Sequence, residues 1–116
     1  MTKHEDLPYF NHILDAINDI EESVRNISKE KFERIKDIKD ANIRRIEIIG
    51  EAAKNISSNI KEKYKEIKWN KIIGTRDKMI HHYFGVNLDI VWAIIKKDIP
   101  DLKKKILKVI RDLKKD

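Results

Sequence analysis

Apolar residues recur along this chain at steps of three and four, the spacing that keeps them on one face of a helix. The first stripe is Phe10, Ile13, Leu14, Ile17, Ile20, Val24 and Ile27. It predicts a helix over about Leu7–Ile27, with Asp6 as N-cap and Pro8 in the first turn, where a missing N–H costs nothing. Ser28 then suits the N-cap of a short second helix carrying Phe32 and Ile35. From Asp40 to Ile60 the period continues through Ile43, Ile46, Ile49, Ala53 and Ile56. Gly50 lies inside that helix at a cost of about 1 kcal/mol relative to alanine, a cost that close approach of a second helix would explain. Ser57, Ser58 and Asn59 break the pattern, and a polar link anchored by Tyr64 and Ile67 leads to a helix from about Asn70 to Phe84. Gly85 suits its left-handed C-terminal position. Asn87 caps a fifth helix with Leu88, Val91, Trp92 and Ile95 on one side, and Pro100 is expected to prevent that helix from running on unbroken. A last helix carries Leu102, Ile106, Val109, Ile110 and Leu113, with a lysine-rich outer face. No strand-like alternation appears. The expectation is an all-α bundle of about four main helices plus short ones, one domain over residues 1–116.

Composition narrows the setting. A chain of 116 residues is long enough for one core without staples, and it has no cysteine, which excludes disulfides, thiolate catalysis and cysteine metal sites. No apolar run approaches the ~18 residues of a membrane span, and the start, MTKHEDLPYF, lacks the apolar core of a signal peptide. A soluble, cytoplasmic protein is expected. Charged residues form 40% of the chain and the net charge is +6. That suits a polyanion such as RNA, and equally suits lysines that merely solvate helix faces.

Candidate chemistry concentrates between Trp69 and Asn87, WNKIIGTRDKMIHHYFGVN. Arg76, His81, His82 and Tyr83 bring a fixed cation, two imidazoles and a phenol together. On an ideal helix His81 lies about 140° round from Arg76, so one helix does not aim both at one point. The long, flexible stem of arginine can repair this, and so can a two-fold dimer that brings two copies of the helix to one cleft. These residue types suit RNA cleavage without a metal. A histidine near its ordinary pKa can move a proton at the ribose 2′-OH or the leaving 5′-oxygen, and an arginine can hold the phosphate and its transition-state charge. The alternative is structural, with Arg76 paired to Glu51 or Asp77 and His81 capping a helix end. Glu51, beside Ala52 and Ala53, reads as partly buried and in need of a cation. Metal chemistry fits poorly, because there is no Glu-x-x-His pair and the adjacent His81 and His82 diverge on a helix. No cofactor is indicated, and His4 and His12 receive no role.

The run RDKMIHHY has the form Arg-x4-His-x-Tyr, with Arg76, His81 and Tyr83 in the fixed places. With IEIIGEAAKNIS (Ile46–Ser57), Trp69, and Val91-Trp92 followed by Ile99–Leu102, it resembles the HEPN superfamily, and within it the HepT-like toxins of prokaryotic toxin–antitoxin pairs. The resemblance covers nearly the whole chain. It implies a homodimeric helical bundle and a metal-independent endoribonuclease with Arg76 and His81 in the dimer cleft. It also implies a minimal nucleotidyltransferase antitoxin that silences the toxin by transferring AMP to Tyr83. Asp77 stands where the family has Asn or Asp, and is expected to orient Arg76 or His81. His82 is expected to assist at most. The alternative within the same resemblance is a non-catalytic HEPN subunit that binds RNA or nucleotide, or serves as scaffold for the nucleotidyltransferase.

Overall fold

A computed structural model describes residues 5–81 and 87–115, apart from the side chains of Ile80 and His81. All regular structure among these residues is helical: α1 (Leu7–Val24), α2 (Lys29–Arg34), α3 (Lys36–Lys54), α4 (Ser58–Lys63), α5 (Trp69–His81), α6 (Leu88–Ala93), a π-helical segment (Ile94–Asp98) and α7 (Ile99–Lys114). Phe10, Ile13, Ile17, Ile20 and Val24 of the α1 stripe are buried as expected, joined by Ala16, while Leu14 and Ile27 are half-buried. The helix ends three residues before Ile27, because Arg25 turns extended and Asn26 takes a left-handed φ of 60°, a conformation asparagine tolerates better than most residues. Asp6 occupies the N-cap by its backbone, but its side chain does not cap. Its buried carboxylate instead accepts from Ser57 N at 2.9 Å and Ser57 Oγ at 2.7 Å. This ties the start of α1 to the start of α4.

Ser28 caps α2 as expected, its Oγ accepting from Lys31 N at 3.1 Å. Ile35 is extended and exposed, not on α2, and serves as the joint from which α3 starts four residues before Asp40. The expected long helix to Ile60 is two helices. It breaks after Lys54, where Ile56 stays buried in the turn and Ser57 is the N-cap of α4. Asn42, fully buried, donates to Ser23 Oγ (3.1 Å) and Ile38 O (2.8 Å) and accepts from Arg45 Nη1 (3.1 Å), so its polar ends are satisfied and α3 is pinned to α1.

Asn87 Oδ1 caps α6, accepting from Asp89 N at 2.9 Å and Ile90 N at 3.4 Å. As expected, α6 does not run on unbroken through Pro100, since it gives way to the π segment and then to α7. The chain keeps right-handed helical angles through Ile94 (φ −58°, ψ −49°) and Asp98 (φ −75°, ψ −40°) into α7, where Pro100 sits in the first turn. In an unbroken α-helix the proline ring would clash with the carbonyl four residues back and leave it unbonded. The π segment ends two residues before Pro100 and interrupts the α-helical bonding, so that Pro100 falls in the first turn of a new helix, where its missing N–H costs little.

The main helices are α1, α3, α5 and α7. α1 packs on both α3 and α7, and α3 packs on α5, while α5 makes no comparable contact with α7. Phe10, Ile17, Ile20, Phe32, Val91 and Ile106 are fully buried in the shared core. Trp69 holds the start of α5. Its Nε1 donates to Tyr64 O at 3.1 Å, and its ring meets Phe10 edge-on at 6.1 Å. Tyr64 in turn donates its hydroxyl to Asp112 of α7 at 3.0 Å. No helix among the described residues is long and apolar enough to cross a membrane.

Candidate active site on α5

α3 and α5 touch closely at one residue. A Cβ added to Gly50 would lie 3.1 Å from Ile72 O and 3.0 Å from Arg76 Cγ, and would overlap Arg76 Cβ outright. Only glycine lets the stem of Arg76 lie against the α3 backbone. The close helix approach expected at Gly50 is therefore present, and the residue it accommodates is Arg76.

That seat determines what the guanidinium can reach. Arg76 is about one quarter exposed, at 24%. Nη1 donates to Asp77 Oδ1 at 3.0 Å. Nε is buried and has no hydrogen-bond partner among the described residues. A buried donor without an acceptor costs about 1–3 kcal/mol, so the side chain is held in a position that leaves bonding capacity unused. Of the two partners considered for Arg76, Asp77 is the one it takes. Glu51 is exposed rather than partly buried. One step past Gly50 on α3 turns it about 100° away from the α5 contact, toward solvent.

His81 is the last described residue of α5, and its backbone is helical. It lies five residues past Arg76, ~7.5 Å along the axis and about 140° round. The His81 side chain, His82, Tyr83, Phe84 and Gly85 fall outside the described part of the chain. His12 is exposed on α1. No group of three potential metal ligands lies together among the described residues.

One feature of this region had only a weak signal in the sequence. Because α5 stands off from α7, a cleft of ≈ 160 Å³ opens between them. Its floor is Ile46 and Ile49 of α3, and its walls include Ile72 and Thr75 of α5 and Ile94 of the π segment. Lys68, Lys71 and Lys105 stand at the rim with Asp98 and Asp101. Lys71 meets Asp98 at 3.5 Å, and Lys105 meets Asp101 at 2.8 Å. The Lys105 hydrogen bond holds the Asp101 carboxyl below its ordinary pKa. On the far side of α6, Lys29 bonds Asp89 at 2.6 Å, which lowers the Asp89 pKa and raises that of Lys29 and links α2 to α6.

Comparison with known proteins places this geometry in context. A family model described as "Ribonuclease HepT-like" matches residues 13–109. A Methanocaldococcus jannaschii protein named "Gamma-glutamylcyclotransferase and putative RNase" is 47% identical over 93% of this chain, a match that spans 49% of that protein. A Caldanaerobacter subterraneus protein named "Putative RNase" is 42% identical, covering 90% of this chain and 93% of its own. One from Thermococcus cleftensis named "Probable ribonuclease HepT" is 45% identical, covering 91% and 94%. No solved structure matches the chain significantly.

Proposed function

Because the chain belongs to the ribonuclease HepT-like family, we propose that it is a metal-independent endoribonuclease whose site is built from Arg76 and His81. The observation that carries this is the seat of Arg76. Gly50 gives its stem a fixed place against α3, and its Nε is buried without a partner among the described residues. An RNA phosphate would bind the exposed part of the guanidinium in competition with Asp77, and the guanidinium would oppose the charge that grows on the phosphate oxygens. His81, one turn and a half farther along α5, moves the proton. Neutral, it takes the 2′-OH proton so that this oxygen attacks phosphorus. Protonated, it delivers a proton to the departing 5′-oxygen. The offset between the two residues on one helix is bridged by a symmetric dimer in which the α5 helices of two copies line one cleft. RNA is the substrate. The protein acts as the toxin of a toxin–antitoxin pair, its partner a minimal nucleotidyltransferase that silences it by adding AMP to Tyr83. The tethered phosphate then occupies Arg76 and repels the RNA backbone, while the adenosine blocks His81.

The test is incubation of the purified protein with total RNA in EDTA. Cleavage persists in EDTA. Arg76→Ala and His81→Ala each lower it by about 10²-fold or more, and His82→Ala has a smaller effect. Loss with His82→Ala and not with His81→Ala removes His81 as the proton carrier. Mass spectrometry after incubation with the nucleotidyltransferase and ATP gives an AMP adduct on Tyr83, absent in Tyr83→Phe. The Arg76–Asp77 pair favours a second reading, a HEPN subunit that binds RNA or nucleotide, or scaffolds the nucleotidyltransferase, without cutting. Binding without cleavage by the wild-type chain selects it.

A further inference from the structure

Three of the four seams between the main helices are closed by packing: α1 on α3, α3 on α5, and α1 on α7. The fourth, between α5 and α7, stays open over an isoleucine floor. We infer that this seam binds one unstacked nucleotide of single-stranded RNA, its base against the isoleucines and its flanking phosphates on the lysine rim. This rests on the reading of RNA as substrate, and it places a second contact point beside the Arg76–His81 site.

The size and chemistry of the cleft point to that occupant. A cleft of ≈ 160 Å³ is on the scale of a single base, and its lining is mostly apolar. A double helix keeps its bases stacked and cannot insert one, whereas single-stranded RNA splays bases out and is recognised through them. Lys71, Thr75 and Lys78 succeed one another at steps of four and three, and so form a single line along α5, with Lys68 just before its start. That line runs toward the His81 end of the helix. Thr75 stands six residues before His81, ~9 Å along the axis, a span that a few nucleotides of extended strand cover.

The rim is closed by ion pairs. Lys71–Asp98 is an exposed pair, of the kind that contributes little and exchanges readily, and Lys105–Asp101 joins a half-buried lysine to an exposed carboxylate. A phosphate offers each lysine a replacement partner, and Lys68 has no ion pair among the described residues to give up. The freed Asp98 and Asp101 carboxylates can accept from the amino or imino groups of a base edge. Thr75 Oγ1 donates to Lys71 O at 2.8 Å and keeps lone pairs for the same purpose. Apolar walls with a few polar groups at the opening are the usual form of a small-ligand site. A packed protein surface fits less well, since it would have to desolvate this charged rim.

The experiment measures fluorescence anisotropy of a fluorescein-labelled, mixed-sequence single-stranded RNA in EDTA, with His81→Ala as the parent so that the strand stays intact. Lys68→Ala/Lys71→Ala removes two exposed side chains and should leave the fold unchanged. Binding weakens by about tenfold, and the slope of log affinity against log salt falls by about 1.4, at ~0.7 per phosphate contact. Ile72→Trp, which fills the seam, weakens binding without changing that slope. In the His81→Ala parent, a photoreactive uridine cross-links to peptides of the seam wall. Unchanged affinity and slope in the lysine variant overturn the inference. If RNA is still cut in an Arg76-dependent way, the ribonuclease reading survives that result. If the wild type binds RNA through the seam but does not cut it, the inference stands and the nuclease reading falls. An Ile72→Trp protein that loses an oligomeric state while binding RNA as before makes the seam an interface between copies, and also overturns the inference.

Discussion

Arg76 and Asp77 form a pair whose balance is set by charge. Asp77 is about half exposed and takes one donor of the guanidinium at 3.0 Å. It competes with a phosphate for that donor and repels the RNA backbone. Asparagine keeps an acceptor oxygen at the same place and removes the charge. Asp77→Asn is expected to lower KM for RNA by about three- to tenfold at low salt, with kcat little changed and the difference shrinking as salt is raised. Steady-state kinetics at two ionic strengths check this. A fall in kcat at constant KM shows instead that Asp77 acts on the chemical step. At this scale the residue types and spacing were legible: Arg76, His81 and Tyr83 stand out as a short motif, and Asp77 sits one residue from Arg76. The exposure of Glu51 was not. Two flanking alanines suggest burial, but which way a side chain points depends on the rotation of α3 about its axis. That rotation is set by Gly50 meeting α5, a long-range contact that local pattern does not encode.

The same contact governs how α3 and α5 pack. Alanine at position 50 would gain about 1 kcal/mol of helix propensity. It would also set one Cβ against another, and neither can rotate away, since both are fixed to their backbones. Overpacking of this kind typically costs about 1–3 kcal/mol, so the loss is expected to win and to move α5 away from α3. Gly50→Ala is predicted to lower Tm by roughly 5–10 °C. It should also lower RNA cleavage at about 25 °C, where the protein remains folded, because Arg76 rides on the displaced helix. Calorimetry and a cleavage assay on the same sample check both. An unchanged Tm with full activity would show that α5 accommodates the methyl group. The helices were largely legible because their apolar stripes repeat over several turns. Their boundaries were less so. Asp6 and Ser57 are far apart in sequence and bond only after α1 and α4 have met. Pro100 reads as a break because an α-helix interior cannot hold it, and it falls in the first turn of α7, after five residues of π-helix.

At the scale of the whole molecule, positions 76 and 81 lie about 140° apart round an ideal helix, and the proposed dimer brings the arginine of one copy to the histidine of the other. The chain mass is 13.8 kDa, so light scattering is expected to give about twice that value. Mass alone does not show that the site is shared, but mixing inactive chains does. Arg76→Ala and His81→Ala homodimers are each inactive. When their subunits are exchanged, about half of the dimers carry one chain of each kind. In such a dimer, one cleft side pairs the intact arginine of the His81→Ala chain with the intact histidine of the Arg76→Ala chain, and the other side has neither. About a quarter of wild-type sites are therefore restored. If both groups act from the same subunit, no combination restores a site, and the mixture stays inactive however long exchange proceeds. The assay is RNA cleavage in EDTA after co-refolding the two variants at equal amounts. Recovery to about a quarter of wild-type rate supports the shared site, and no recovery in a mixture shown to contain heterodimers rules it out.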